Sequence, residues 1–350
     1  MDTIFHQIKT QHGCQSYMIG CKETGAAIII DPEISQMEHY QGLALQDGLT
    51  VHYLLDTHTH ADHFSASQIL RPKMSVPLIM HSSSATPFID IRVDDGEMII
   101  VGKIRLRIVY TPGHTSDSIC IVMNDRIFTG DTLLIGGTGR TDLPSGNPEQ
   151  LYDSLFNKLI KLDPQLLVYP AHIYSDRQYS TLAEEFASNP RLQKKQQVEF
   201  VKQMRELDLN MPVHLTEALR TNLCGGKTVS QLINEAAEKI TFMAQDEILS
   251  RIQSTYCELL MIDLREKEAF DAAHIPGAVN IPRGQLELRV NDMLKDPSQR
   301  ILVYCEFGKI SILAAATLKE MGFSRTVAMD LGIGEWIEKG YPVVTVKDAK

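Results

Sequence analysis

The stretch that constrains this chain most is Thr57–His63, THTHADH, where three histidines and an aspartate fall within seven residues. It follows the run Val51–Leu55 and precedes an expected helix at about Ser65–Leu70. Side chains alternate between faces in extended chain, so His58 and His60 can point the same way, while Asp62 and His63 follow on the turn into the helix. Crowding imidazoles and a carboxylate is costly without a positive centre to collect them. This mixture of donors suits borderline transition metals such as zinc or iron rather than calcium or magnesium. A metal site accounts for the spacing; a solvated polar turn leaves it unexplained.

Further polar residues sit at the ends of later apolar runs. Residues 16–32 read as a hairpin around the turn Lys22–Gly25. The strand Lys103–Tyr110 ends in TPGHT, where Pro112 and Gly113 break it and leave His114 on the turn. The strand Arg126–Thr129 ends in Gly130 and Asp131, and Leu166–Tyr169 runs into PAHIY with His172. A glycine-rich loop, Gly136, Gly137 and Gly139, precedes Arg140. Asn147 and Pro148 start a helix to Lys161, and helical patterning covers Leu182–Leu207. Strands alternating with helices, with polar residues at strand ends, describe a layered α/β fold.

The pattern restarts after a break. Asn210–Lys227, with Pro212, Gly225 and Gly226, closes the first domain at 1–225; a linker is expected at 226–239 and a second domain at 240–350. Thr241–Ile252 reads as helix, Leu259–Asp263 as buried strand, and Leu286–Leu294 as helix. The strand Ile301–Tyr304 runs straight into Cys305, and helix resumes at Ser311–Met321, closed by Gly322. This is a smaller α/β domain with an expected parallel sheet.

A chain of 350 residues agrees with this division. A formal net charge of −10 argues against nucleic-acid and anionic-membrane partners, which reward basic faces. The N-terminal stretch has no charged-then-apolar signal pattern, and no apolar run reaches about 18 residues, so a cytoplasmic protein is expected. The six cysteines, Cys14, Cys21, Cys120, Cys224, Cys257 and Cys305, form no CxxC pair. Neither a disulfide framework nor a thiolate zinc site is therefore expected, and only Cys305 stands in a context that asks for chemistry.

Taken together, HxHxDH followed by His114, Asp131 and His172 resembles the metallo-β-lactamase superfamily over residues 1–225, with TPGHT, FTGD and YPAH also in place. The resemblance implies an αββα sandwich with a metal site along one rim. Two activities are implied by different members. One is a dinuclear zinc thioester hydrolase of the glyoxalase II type, in which all seven residues bind two zinc ions and a bridging hydroxide attacks. The other is the persulfide dioxygenase group, which FTGDTLLIGGTGRTD, YPAHIY and NPRL resemble closely. That resemblance implies one Fe(II) per chain held by His58, His114 and Asp131. His60, Asp62, His63 and His172 then support the iron or mark an unused second metal position. Arg140 and Tyr174 are the implied substrate-side residues.

The segment CEFGKIS, Cys305, Glu306, Phe307, Gly308, Lys309, Ile310 and Ser311, resembles the active loop of rhodanese sulfurtransferases. Asp263, Arg265 and the words DLR and HIPGA support that resemblance over 240–350. It implies a cysteine persulfide on Cys305. Ile310 stands where many rhodaneses carry arginine, which leaves Lys309 as the nearest cation. The implied whole is a bifunctional enzyme of sulfide detoxification. It oxidises glutathione or another small thiol persulfide with O2 to sulfite, and exchanges sulfane sulfur among thiosulfate, sulfite and thiol. The implied partners are these small molecules, with no nucleic acid and no membrane, and with a homo-oligomer left open. The rival readings are the zinc hydrolase with an accessory sulfur carrier, and a non-catalytic sulfur sensor or scaffold.

Overall fold

Alternation of apolar side chains along the strands determines how the first unit is layered. On Gln15–Cys21 and Ala26–Ile30, Tyr17, Ile19, Ile28 and Ile30 face one way, and Met18, Ala27 and Ile29 face the other. Both faces are buried, so this sheet must be covered twice. A computed structural model describes residues 3–10, 13–254, 258–294, 296 and 298–345. Cys257 lies outside them.

The chain divides into Met1–Gly226 and Lys227–Lys350. The first unit has two six-stranded sheets. One runs in chain order from Thr3–Lys9 through Gln15–Cys21, Ala26–Ile30, Thr50–Leu55 and Leu78–His81 to Ile91–Val93. The other runs from Met98–Val101 through Ile104–Tyr110, Ile119–Val122, Arg126–Gly130 and Leu167–Pro170 to Ser180–Thr181. Their inner faces share a core in which Ile28, Ile30 and Leu55 meet Leu106, Ile121 and Phe128. Each such fully buried side chain stabilises the fold by about 1.5–3 kcal/mol. Tyr40, Ala44 and Leu70 from the helices Met37–Gln46 and Ser67–Met74 cover the outside of the first sheet. Leu151, Phe200 and Met204 from Pro148–Asp153 and Gln197–Arg205 cover the second. This is the expected αββα sandwich.

The long helix expected over Leu182–Leu207 is broken. It ends at Ser188, because Asn189 adopts an extended conformation before Pro190, and resumes only at Gln197. The stretch 226–239, expected as a linker, carries the helix Val229–Ala237, started by a capping box between Thr228 and Gln231. Its Ala236 belongs to the core of the second unit, so the helix is part of that fold.

The second unit is built on a five-stranded sheet whose pairings are all parallel, ordered Phe242–Met243, Thr326–Met329, Arg300–Tyr304, Leu259–Asp263, Val279–Asn280. Phe242–Met243 pairs as strand where helix was expected, and the helix begins at Gln245. Among the described residues no helix is long and apolar enough to cross a membrane.

Candidate active sites

Four strand ends of the first unit deliver its polar residues to one place. His58 follows the strand Thr50–Leu55, His114 follows Ile104–Tyr110, Asp131 follows Arg126–Gly130, and His172 follows Leu167–Pro170. Two glycines let these loops close on one another. Gly130 has φ +51°, and a Cβ there would lie 2.7 Å from Thr57 Oγ1. A Cβ on Gly139 would lie 2.1 Å from the Asp131 carbonyl oxygen and 2.9 Å from the His114 ring.

Three residues that sequence reasoning missed pin the histidine loop. Asp31, itself at φ +50°, accepts hydrogen bonds from the Thr57 amide at 2.6 Å and hydroxyl at 2.9 Å, and faces His60 Nε2 at 3.2 Å. Asp117 accepts from the hydroxyls of Thr59 at 2.5 Å and Thr115 at 2.6 Å, tying the first histidine loop to that of His114. Asn222, on the helix Leu215–Cys224, donates to the carbonyls of His60 and His63, each at 2.8 Å, and accepts from the Ser65 amide at 3.1 Å. Asp31–Pro32 after an apolar run was a usable signal for the first; nothing near Asn222 marked a residue 159 positions from His63. Asn222→Ala is expected to lower affinity for the metal by about 10–100-fold, the usual cost of losing a supporting partner. Competition with a chelator measures it.

The donors then separate into groups. One ligand atom each from His58, His114 and Asp131 lies within 4.8 Å of the others. His114 Nδ1 is 2.8 Å from the Arg140 carbonyl, to which it can donate, leaving Nε2 to face Asp131 Oδ2 at 3.5 Å. His58 Nε2 is buried with no hydrogen-bond partner. A buried nitrogen without a partner is costly, and a metal ion would satisfy it. These three residues therefore fit a metal. Burial, together with His60, pushes the His58 imidazole down to about 3, so its nitrogen lone pair is free at neutral pH.

Asp62, His63 and His172 gather separately, with Cys14. His172 places Nδ1 2.7 Å from Asp131 Oδ1 and Nε2 2.6 Å from Asp62. Burial disfavours the charge on Asp131, but His172 outweighs it and holds the carboxyl well below the usual range. His60 joins neither group; it pairs with Asp31.

A cavity of about 340 Å³ opens on His114 and Asp131 of the first donor group, lined also by Asp62, Arg140, Tyr174 and Leu209 among others. Tyr174 is largely exposed, and its ring stacks near His172 at 5.9 Å. Arg140 lines the cavity, but its guanidinium grips Asp142 through two bonds of 2.6 Å and donates to the Asn210 carbonyl at 2.7 Å. A substrate carboxylate must displace Asp142 to take that grip.

In the second unit Cys305 is buried at the end of Arg300–Tyr304, and the loop turns through Gly308 at φ +79° into the helix Lys309–Glu320. A Cβ on Gly308 would meet the Leu331 carbonyl oxygen at 2.5 Å. Ser311 Oγ lies 3.7 Å from the sulfur and donates to the Gly308 carbonyl at 2.8 Å. Arg265 pairs with buried Asp263 at 2.8 Å and reaches Glu306 at 3.0 Å, bracing the loop. Phe307, Lys309 and Ile310 are exposed around it.

Fold and sites define a metallo-β-lactamase-type metal domain followed by a rhodanese-like domain. Residues 10–172 match the model of the metallo-beta-lactamase superfamily, and 245–339 match the rhodanese-like domain. Persulfide dioxygenase ETHE1, mitochondrial, from Bos taurus is 37% identical over 216 residues, covering 61% of this chain and 85% of the relative. The Homo sapiens protein of the same name matches equally, at 37% over 216 residues with the same coverage of 61% and 85%. The crystal structure of ETHE1 from Myxococcus xanthus superposes with a TM-score of 0.62 at 37% identity, covering 64% of this chain and all of that one. A metallo-beta-lactamase structure from Staphylococcus aureus subsp. aureus COL shares the fold over 94% of this chain and 99% of its own, with a TM-score of 0.62 and 24% identity. The chain belongs to the ETHE1 persulfide dioxygenase family of the metallo-β-lactamase superfamily, with a rhodanese-like domain at its C-terminal end.

Proposed function

We propose that the chain is a bifunctional sulfur enzyme: an iron-dependent persulfide dioxygenase joined to a sulfurtransferase. The observation that carries the first half is the division of labour at Asp131. One carboxylate oxygen takes the His172 Nδ1–H, and the other faces His114. A carboxylate so engaged supports one metal held with His58 and His114 rather than a bridge between two. His58, His114 and Asp131 would hold Fe(II), which would supply the O2 chemistry, and a single carboxylate among the donors would leave the site a net positive charge to attract a persulfide anion.

The chain's own residues orient and enclose. Asp31, Asp117 and Asn222 fix the loop that presents His58. The Arg140 carbonyl fixes the His114 tautomer, and the cavity holds the thiol carrier, for which glutathione is the proposed choice. The reaction balances as RSSH + O2 + H2O → RSH + H2SO3. In the second half Cys305 accepts sulfane sulfur from thiosulfate, releasing sulfite, and passes it to a thiol. In this direction sulfite is thus a product of both centres.

Metal analysis and oxygen uptake with glutathione persulfide test this reading. About one iron per chain and uptake of one O2 per sulfite formed are expected. Protein isolated with two zinc ions that hydrolyses a glutathione thioester and consumes no oxygen overturns it.

A further inference from the structure

Cys305 is buried, yet three large apolar side chains stand exposed on the two loops around it, and neither proposed activity uses them. Phe307 is 79% exposed and Ile310 48% in the cysteine's own segment, and Leu331 is 48% exposed on the neighbouring loop. The two loops are tied to each other. The Ile333 amide donates to the Cys305 carbonyl at 3.0 Å, and the Gly334 amide to the Glu306 carbonyl at 3.2 Å. The Leu331 backbone also abuts Gly308, where a Cβ would come within 2.5 Å of the Leu331 carbonyl oxygen.

Single exposed apolar residues are ordinary on a protein surface. Leu331 differs, because it is held at φ +63°, a left-handed conformation that crowds the Cβ of a bulky residue against its own backbone. Glycine would take that conformation without strain. A leucine kept there against its backbone preference is a leucine whose side chain has a use, and its place is the rim of the Cys305 loop.

Charge points the same way. The segment Cys305–Ser311 contains one lysine and one glutamate. The Arg265 guanidinium, which could have met an anion, is spent on carboxylates: Nε and Nη2 bind Asp263 at 3.1 and 2.8 Å, and Nη1 binds Glu306 at 3.0 Å. A thiosulfate dianion has no apolar body for the three side chains to cover, and within the segment only Lys309 to balance its charge. An organic persulfide brings one negative charge, which suits Lys309 and the amides that start the helix Lys309–Glu320, and an apolar body beside it.

We propose that Phe307, Ile310 and Leu331 are specificity-determining residues, which make the Cys305 centre select organic sulfane-sulfur donors, singly charged and with an apolar body, over thiosulfate. This rests on the sulfurtransferase reading of the second unit and narrows its substrate class. The step is RSSH + Cys305–SH → RSH + Cys305–SSH. Cys305 Sγ forms a bond to the donor's outer sulfur, the donor's S–S bond breaks, and its electron pair and a proton leave as RSH.

Benzenethiosulfonate is a stable probe of that class: ArSO2S⁻ + Cys305–SH → ArSO2⁻ + Cys305–SSH, with the electron pair leaving on the sulfinate. Full-length protein is assayed with this donor and with thiosulfate, using cyanide as the common acceptor and thiocyanate as the measured product, with Cys305→Ser giving the background. The kcat/KM for benzenethiosulfonate is expected to exceed that for thiosulfate by about 10-fold or more, the scale of discrimination that apolar contacts supply. Ile310→Arg, which puts a planar cation on the loop, should bring that ratio down to about one or below. Phe307→Ala and Leu331→Gly should each lower the ratio by about 3-fold or more through the KM for the thiosulfonate. Leu331→Gly should do so without lowering the melting temperature, because it relieves the strained backbone. A merely structural role would depress both donors alike and leave the ratio unmoved. Thiosulfate used as well as or better than benzenethiosulfonate by the unsubstituted protein overturns the proposal, as does a ratio unchanged in all three variants; either result leaves the sulfurtransferase reading standing. Transfer from neither donor overturns both.

Discussion

Asp131→Ala is expected to remove iron from the first unit and to lower persulfide-dependent oxygen uptake by at least ~100-fold, the upper end of what loss of a supporting partner alone costs. The carboxylate has two duties at once. Oδ2 stands with His58 and His114 as the only anionic member of that donor set, and Oδ1 accepts from His172 at 2.7 Å. Alanine leaves two neutral imidazoles, too few to hold a divalent ion, and strands a buried His172 N–H, which costs about 1–3 kcal/mol. Asp131→Asn separates the duties, since its side-chain carbonyl can still accept from His172 while the charge is gone. Both variants are expected to lose iron, with Asn retaining more thermal stability. Metal content, oxygen uptake and melting temperature on the same preparations measure this. A variant that keeps iron and normal uptake removes Asp131 from the proposed centre and the dioxygenase reading with it.

Cys305→Ser is expected to reduce sulfur transfer from thiosulfate to thiol to background while persulfide oxidation by the first unit persists. A serine hydroxyl fits the loop but cannot form the persulfide, because its oxygen is not the thiolate that the chemistry uses. The scaffold that holds the sulfur does not depend on it: Arg265 braces Glu306, the Cys305 carbonyl accepts from the Ile333 amide at 3.0 Å, and Gly308 makes the turn. The substitution should therefore leave folding intact. Loss of both activities would contradict two separate centres. Retention of transfer would assign it to another cysteine.

Much of this protein is legible from its sequence, and the reason is periodicity. Alternating apolar residues marked the strands, and glycine, proline and histidine at their ends marked the rim, because a strand fixes where its last side chain goes. His58, His114, Asp131 and His172 are therefore readable as candidates, as is Cys305 between strand and helix. The helix Val229–Ala237 escaped because glycines just before it suggested a linker, whereas it packs against the helix Lys309–Glu320, far ahead in the chain.

What the sequence by itself determined is which side chains reach the rim. How they divide there was decided only by tertiary structure. Read as a string, HxHxDH offers four neighbouring donors of equal standing. In the fold His58 joins His114 and Asp131, His60 turns to Asp31, and Asp62 and His63 join His172 and Cys14. The physical reason is that each donor's partner comes from a different strand end, brought within 4.8 Å by the packing of two sheets, a distance that residue spacing along one chain does not encode.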